Sequence, residues 1–175
     1  MLLNKEKGRD KMAHVILEYN KLKEWRNRLQ ERDITTKFVI PWLQALNWNI
    51  YGVTKHGLEV SEQGFPGQIK EGQPDIRLQS KTGKIVIVEV KKRLPEEPIW
   101  ILKGYARYKT RKGKSLIVVL TDFRKTYVYT RGRKGLQKRG FFALDNYLEK
   151  FNDLWRLLSN SPKATRKRAA LKATG

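Results

Sequence analysis

Three ionisable residues, Asp75, Glu89 and Lys91, stand where strand-like stretches of the sequence begin or end. Glu89 follows directly on the aliphatic residues 85–88, and Lys91 comes two places later. Because residues two apart in a β-strand point to the same face, Glu89 and Lys91 are expected to emerge side by side. Asp75 opens a preceding strand, which the short polar turn 80–84 joins to this one. The two carboxylates are therefore expected to lie next to each other.

Paired carboxylates with a lysine beside them suit phosphodiester hydrolysis assisted by a metal ion. Carboxylate oxygens are hard ligands of the kind that Mg²⁺ or Mn²⁺ takes. Such a metal polarises a phosphoryl oxygen and lowers the pKa of the attacking water. The lysine then orients that water or stabilises the negative charge of the transition state. A Glu-x-Lys pattern alone is more typical of solvated residues that close a strand. The Pro-Asp start of the preceding strand, the short turn and the aliphatic run, all in a very basic chain, favour the functional interpretation.

The elements that have to position these residues are predicted from the spacing of apolar residues and from turn residues. Helices are predicted over 11–30, 33–46, 99–109 and 143–158, a hairpin over 49–63, and strands over 75–79, 84–91, 115–120 and 126–130. The strand 84–91 is apolar on both faces, which predicts a central position in its sheet. This order predicts an α/β fold with a mixed central β-sheet flanked by helices.

The chain of 175 residues is long enough for one domain with a hydrophobic core. We predict an N-terminal helical extension (1–30), the main domain (31–159) and a basic tail (160–175). The tail carries five basic residues and no acid, and its composition predicts no fixed structure.

Positive charge is the strongest signal of the whole chain, with a net charge of +21. Such a field favours polyanions, because each neutralised phosphate releases counterions, so DNA or RNA is the expected partner. Between 103 and 139, thirteen basic residues accompany a single acid, Asp122. The expected phosphate contacts are Lys103, Arg107 and Arg111 on one face of a predicted helix, and Arg131, Arg133 and Lys134 in a predicted mobile loop, 130–140.

Composition also argues against several other classes of protein. Without cysteine there is neither a disulfide framework nor a thiolate metal site, and two histidines, His14 and His56, do not suggest a zinc site. No apolar run approaches the roughly 20 residues that span a bilayer. The first residues lack the apolar core of a secretory signal. A cytoplasmic protein without a membrane partner is expected.

Pro74, Asp75, Glu89, Val90 and Lys91 match the signature of the PD-(D/E)XK nuclease superfamily, which this chain resembles. The closer similarity is to the N-terminal nuclease domain of the motor subunit of type I restriction enzymes and to its small stand-alone relatives. In those proteins an acid near the start of a helix precedes a segment of the pattern Pro-Leu-Leu-x-x-Leu-Gly-Trp. The stretch 31–48 is similar to this arrangement and begins with the acid Glu31.

The resemblance spans roughly 30–130 and implies a restriction-endonuclease-like core that cleaves DNA with Mg²⁺. It implies that Asp75 and Glu89 bind the metal, with the carbonyl of Val90 as a further ligand, and that Lys91 is the catalytic lysine. Glu31 stands in the place of the acid at the helix start, although a surface acid on a helix is the other interpretation.

One feature departs from the type I nucleases, which often carry a Gln-x-x-x-Tyr pattern after the lysine. Here Tyr105 is present and Ile101 stands where the glutamine would be. Cutting both strands of a duplex usually requires two sites, so a homodimer is one expected assembly. Two other hypotheses stay open: a non-catalytic nucleic-acid-binding protein with the nuclease fold, and a basic structural subunit of a larger particle.

Overall fold

The computed structural model describes residues 4–48, 58–59, 74–80, 83–96, 105 and 115–160. The helices are α1 (Lys5–Lys21), α2 (Glu31–Ile34), α3 (Ile40–Ala45) and α4 (Phe151–Leu158), with a 3-10 turn at Arg26–Arg28 and a π-helical segment at Thr35–Val39. The strands are β1 (Leu58–Glu59), β2 (Ile76–Gln79), β3 (Lys84–Val90), β4 (Ser115–Thr121), β5 (Lys125–Gly132) and β6 (Gly135–Ala143). No helix of the described ranges has the length and apolarity to cross a membrane.

The six strands form one mixed sheet in the order of the sequence, β1-β2-β3-β4-β5-β6. Strands β1 and β2 are parallel, as are β3 and β4, whereas the other neighbours are antiparallel. The predicted central position of 84–91 is confirmed, because β3 lies between β2 and β4 and residues 85–88 are buried. The predicted pairing of the strand 126–130 with 115–120 is confirmed as well.

Alternate residues of β3 enter two hydrophobic clusters on opposite faces of the sheet. Val86, Val88 and Val90 face the larger cluster, to which α1, α3 and α4 contribute. Ile85 and Ile87 face a smaller cluster, which we call the tyrosine face and which also contains Leu94, Tyr105, Leu116, Val118, Leu120, Tyr127 and Tyr129. A strand covered on both faces leaves only its ends open, and its carboxyl end carries the candidate residues.

The helical layer differs from the prediction at its start and at its second helix. Helix α1 begins at Lys5, where the side chain of Asn4 accepts the N–H of Lys7, and ends at Lys21, earlier than predicted. The second helix begins with a capping box in which Gln30 is the N-cap and Asp33 the third helical residue, so the predicted N-cap at Asp33 was wrong.

The segment Thr35–Val39 widens into a π-helix just before Pro41. The N–H of Ile40 donates to the carbonyl of Thr35, five residues back. Proline has no N–H, and its ring clashes with the carbonyl four residues before it in an α-helix. The wider turn makes room for the ring, so the helix continues through Pro41 into α3.

Two predictions for the second half of the chain were wrong. The predicted helix 143–158 begins only at Phe151, because Ala143 still belongs to β6 and pairs with Lys125, and 144–150 forms turns in which the Asn146 side chain accepts the N–H of Ala143. The predicted mobile loop 130–140 is the end of the β5–β6 hairpin, in which Gly132 pairs with Gly135. Of the predicted hairpin 49–63 and helix 99–109, only β1 and the helical residue Tyr105 fall within the described residues.

The end of α4 is tied to the start of β3. Lys84 Nζ donates to the carbonyl of Ser159 at 2.8 Å, and the N–H of Asn160 donates to the carbonyl of Leu46 at 3.0 Å. Trp48 Nε1 donates to the carbonyl of Leu158 at 2.7 Å. These bonds hold the last described residues beside the sheet, at the end where β3 begins.

Gly8 lets α1 approach α3 and α4 closely, and we expect Gly8→Ala to destabilise the fold. An added Cβ would lie 2.6 Å from the carbonyl oxygen of Ala45 and 2.6 Å from Cζ3 of Trp155. Overpacking of this kind costs about 1–3 kcal/mol, more than the ~0.5–1 kcal/mol that alanine gains over glycine within a helix. Urea denaturation measures the difference, with the exposed Lys11→Ala as the control; a stabilised Gly8→Ala protein would contradict the expectation.

Candidate active site

Asp75 and Glu89 are brought together by the antiparallel pairing of β2 with β3. Ile76 pairs with Val88, which puts Asp75 opposite Glu89 at the point where β3 ends. Asp75 Oδ2 accepts the backbone N–H of Val90 at 2.6 Å. The two carboxylates predicted to be neighbours therefore are neighbours, and a hydrogen bond between side chain and backbone holds the first of them in place.

Both carboxylate oxygens of Glu89 are engaged by other side chains of the site. Lys91 Nζ lies 2.5 Å from Oε1, as both a hydrogen bond and an ion pair, and the Tyr105 hydroxyl donates to Oε2. The side chains of Lys91 and Glu89 are 26% and 14% exposed, so this ion pair is largely shielded from water. Tyr105 belongs to the tyrosine face, and its hydrogen bond orients the side chain of Glu89.

Glu31 reaches the same place from the helical layer. It is the first residue of α2, and its Oε1 accepts the backbone N–H of Lys92 at 3.2 Å. This contact joins residues 61 positions apart in the sequence. The structure therefore brings Glu31 next to the segment that carries Lys91.

The electrostatics of the site couple all four charged groups. The pKa of the Asp75 carboxyl is raised to about 6, chiefly by burial and also by the nearby charges of Glu89 and Glu31, against the opposing effects of the Val90 N–H and of Lys91. Burial lowers the pKa of Lys91, but the hydrogen bond and charge of Glu89, together with Glu31 and Asp75, outweigh burial and raise it overall. Lys91 is therefore a cation at neutral pH, suited to stabilising negative charge and not to accepting a proton.

Tyr105 is held in its neutral form. Burial raises the pKa of its hydroxyl, and the hydrogen bond to Glu89 and the negative charges of Glu89 and Asp75 raise it further. A hydroxyl that keeps its proton remains a donor to Glu89 across the physiological pH range. Tyr105 thus supports the carboxylate without competing for charge.

The oxygen atoms of Asp75 and Glu89 are of the type that a hard divalent cation binds. No described residue donates to Asp75 Oδ1, and Asp75 and Glu89 together offer carboxylate oxygens, the ligand type that magnesium and manganese take. Among the described residues, however, no three acidic or histidine side chains are grouped closely enough to hold a metal ion. A cation bound by Glu89 would share its oxygens with the donors Lys91 and Tyr105.

Asp122 is a buried acid that the sequence reasoning did not assign to the site. Its Oδ2 accepts the N–H of Leu94 at 2.9 Å and its Oδ1 accepts the N–H of Lys125 at 2.7 Å. The N–H of Lys91 donates to the carbonyl of Thr121 at 2.9 Å. The segment that follows Lys91 is thus fastened to the β4–β5 turn. A single acid within a long basic run, directly after a buried strand, was the signal that could have identified Asp122.

We expect Asp122→Ala to unfold at lower urea concentration than the unaltered protein. The change leaves the buried N–H of Leu94 and the partly buried N–H of Lys125 without their acceptors, at about 2–4 kcal/mol for the two together. Asp145→Ala removes an exposed acid and serves as the control, with an expected change within about 0.5 kcal/mol. Equal effects of the two substitutions would contradict the role of Asp122 in holding the segment after Lys91.

The basic residues predicted to contact nucleic acid are not gathered at the carboxylates. Glu89 is level with Leu120 of β4 and Tyr127 of β5, and Gly132 lies five residues farther along β5, roughly 17 Å at ~3.4 Å per residue. Arg131, Arg133 and Lys134 therefore stand at the other end of the sheet. Lys103, Arg107 and Arg111 lie outside the described residues.

Comparison with known proteins gives no match: no family model matches the sequence, and no curated protein or solved structure is significantly similar to the chain. The function of the chain therefore has to be inferred from the site itself.

Proposed function

We propose that this protein is a metal-dependent DNA endonuclease of the PD-(D/E)XK type that hydrolyses phosphodiester bonds. The observation that carries the proposal is the convergence of Asp75, Glu89 and Lys91 at the edge of the sheet where β2 begins and β3 ends. Glu31 lies beside them. The two acids lie on neighbouring strands, and a protonated lysine lies beside them. This arrangement matches the chemistry that the sequence pattern predicts. For the fold we propose a restriction-endonuclease-like core. For cleavage of both strands we propose a homodimer.

In the proposed mechanism Asp75 and Glu89 hold Mg²⁺ or Mn²⁺, with the carbonyl of Val90 as a further ligand. When bound, the metal supplies Lewis acidity and lowers the pKa of the attacking water. Lys91, protonated in its carboxylate surroundings, stabilises the negative charge that grows on the phosphate oxygens. Tyr105 keeps Glu89 oriented, and Asp122 holds the segment after Lys91. The chain thus positions and stabilises charge without forming a covalent intermediate.

The electrostatics of Asp75 also support a cation-binding role. Burial and two neighbouring acids raise the pKa of the Asp75 carboxyl. Its ionised form therefore carries an energetic penalty in the folded protein. A divalent cation bound at the site would offset this energetic penalty, because it favours the charged form of Asp75. Strongly perturbed carboxyl groups of this kind are typical of functional sites.

The direct test is cleavage of labelled duplex, single-stranded and branched DNA with Mg²⁺, with Mn²⁺ or with a chelator. We expect cutting that needs metal and that is lost in Asp75→Asn and Glu89→Gln. Glu149→Gln, which changes an exposed acid in the turns before α4, is the matched control and is expected to cut normally. Undiminished cutting in the chelator, or in both site variants, would overturn the proposal.

A non-catalytic DNA-binding protein is the second candidate. The observation in its favour is that Lys91 and Tyr105 engage both oxygens of Glu89, so that the charge of this carboxylate is already balanced by a cation of the chain itself. Calorimetric titration with Mn²⁺ separates the two functions. The nuclease is expected to bind the ion through Asp75 and Glu89, whereas the pure binder is expected to give no heat and to bind DNA equally with and without a chelator.

A further inference from the structure

Residues 22–30 connect α1 to α2 and form a segment that we call the tryptophan loop. The side chain of Trp25 is 55% exposed, and Leu17, at 54%, is the other exposed large apolar side chain of the described residues. The remaining residues of 23–28 are all polar or charged. An isolated indole does not provide the contiguous apolar patch that a protein-docking surface requires. A ligand that covers one flat ring suits this side chain better.

A guanidinium group lies over one face of the Trp25 ring. Cζ of Arg28 is 4.7 Å from the ring centroid, and the N–H of Arg28 donates to the carbonyl of Trp25 at 2.9 Å. This cation–π contact orients the indole. Among the residues that the structure describes, no other aromatic ring stacks on it. A ring that has a cation on one face and more than half of its surface in solvent offers its other face to a flat partner.

Arg26 fastens the tryptophan loop to the end of α1. Its Nε donates to the carbonyl of Tyr19 at 3.3 Å, its Nη2 donates to Asn20 Oδ1 at 2.6 Å, and its Cζ lies 4.6 Å from the centroid of the Tyr19 ring. Both acceptors are neutral oxygens, so neither balances the charge of Arg26. The loop carries three basic residues and one acid, Glu24. The surroundings of Trp25 are therefore fixed in place and positively charged.

Both ends of the tryptophan loop lie at the carboxylate end of the sheet. Before the loop, the ring of Tyr19 packs 4.9 Å from that of Phe123, in the β4–β5 turn that begins beside the end of β3. After the loop, Glu31 accepts the N–H of Lys92. Glu31 follows Trp25 by six residues, a distance of at most about 20 Å for an extended chain. At about 3.4 Å per nucleotide, a DNA strand crosses that distance in roughly six nucleotides.

Further cations lie at the same end of the sheet. Lys92 and Arg93 follow β3 and are exposed, and Arg124 stands in the β4–β5 turn. Burial raises the pKa of the Tyr19 hydroxyl, and the charges of Arg124 and Arg26 oppose this effect, so both cations lie near Tyr19. A phosphate backbone that runs from the tryptophan loop to the carboxylates therefore has cations of all three segments within reach.

We infer that Trp25 stacks on an unpaired base of DNA and holds a single-stranded segment of the substrate beside the carboxylate site. Every nucleobase has a flat π-face, and an aromatic side chain among basic residues binds single strands without sequence preference. In an intact duplex each base is paired and stacked between its neighbours, which closes its faces to Trp25. The inference deepens the proposed function and rests on it for the identity of the substrate, and it adds the form of that substrate: DNA with an unpaired segment.

Three ligands of about 12 nucleotides test the inference: labelled oligothymidylate, a strand of equal length and charge that lacks the bases, and a duplex. All proteins carry Asp75→Asn, so that no substrate is cut, and affinity is measured by fluorescence anisotropy. Trp25→Leu keeps an apolar side chain but removes the π-face. It is expected to weaken binding of oligothymidylate about 10- to 30-fold, and binding of the abasic strand and of the duplex by less than about threefold.

Two further variants serve as controls for this experiment. Trp25→Phe restores an aromatic face and is expected to bind oligothymidylate within about threefold of the protein with Trp25. Leu17→Ala shortens the other exposed apolar side chain and is expected to change the affinity at most about twofold. Stacking on a base also quenches indole emission. Oligothymidylate is therefore expected to quench emission that is absent from the Trp25→Phe protein, whereas the abasic strand is not.

The outcomes separate this inference from the proposed function. Equal losses on oligothymidylate and the abasic strand, equal effects of Trp25→Leu and Leu17→Ala, or no binding of oligothymidylate would each overturn the stacking role. Cleavage by the chain without Asp75→Asn is assayed in parallel. Base-dependent binding without cleavage under any metal would leave the stacking role standing and refute the nuclease. Metal-dependent cleavage, together with a Trp25→Leu protein that binds oligothymidylate normally, would do the reverse.

Discussion

Lys91→Ala is expected to lower kcat for DNA cleavage by about 10²- to 10³-fold while DNA affinity changes little, because the removed charge acts mainly on the transition state. Lys91 is the cation held against Glu89 at 2.5 Å, and the surrounding carboxylates keep its pKa raised. Single-turnover cleavage and anisotropy binding, measured on the same preparations, separate the two effects.

The neighbouring lysine provides the control for this experiment. Lys92 has an exposed side chain, and its contact to Glu31 is made by the backbone N–H, which Lys92→Ala retains. We expect Lys92→Ala to cut at a rate within a few fold of the unaltered protein. Parallel losses of rate in both variants would mean that positive charge near the site matters only for DNA affinity and that Lys91 has no special role.

Asp75→Asn is expected to abolish cleavage and, at the same time, to stabilise the fold above pH 6. The pKa of the carboxyl rises from its ordinary value of 3.8 to about 6 on folding, chiefly through burial. Between these values the folded chain binds more protons than the unfolded chain, so the free energy of unfolding falls as pH rises through that range and stays lower above it. The asparagine side chain avoids this loss and still offers an oxygen to the N–H of Val90.

The expected gain is about 1–2 kcal/mol at pH 8 and close to zero at pH 4, after allowance for the partial exposure of the Asp75 carboxyl. Urea denaturation of both proteins at the two pH values measures it. Added Mg²⁺ is expected to raise the stability of the unaltered protein and not of the variant, because a ligand of the folded state stabilises it by mass action. A variant that is less stable at pH 8 would show that the carboxylate itself supports the fold.

The parts of the site that the sequence predicts correctly are those set by short-range signals. The aliphatic residues 85–88 predict β3, and the short turn before Lys84 predicts its antiparallel partner, so the neighbouring positions of Asp75 and Glu89 follow from local pattern. Glu31, which the nuclease resemblance assigns to the site, accepts the N–H of Lys92, and its role in catalysis stays a prediction.

The remaining features depend on contacts between distant parts of the chain. The bond of Asp122 to Leu94 spans 28 residues, and no periodicity of the sequence contains it. The hairpin end was mistaken for a mobile loop because its turn residues, Arg133 and Lys134, are not the Asn-Gly or Gly-rich pair that marks a tight hairpin. The late start of α4 depends on the pairing of Ala143 with Lys125, which keeps the first residue of the predicted helix in the sheet.

The hydrogen bond from Lys84 to the carbonyl of Ser159 determines where the last segment of the chain departs. Lys84 begins β3 at the end of the sheet where the turn of the β5–β6 hairpin lies, and the carboxylates lie at the other end of β3. Asn160 follows Ser159 directly, and the sequence 160–175 carries five basic residues and no acid. The described acids of the site and the described cations of the β5–β6 turn therefore lie at opposite ends of the sheet, a separation of charge that would orient an approaching polyanion and speed its encounter. On the proposed function, DNA would meet the basic end first, and the repulsion of the acids would act only after the complex has begun to form.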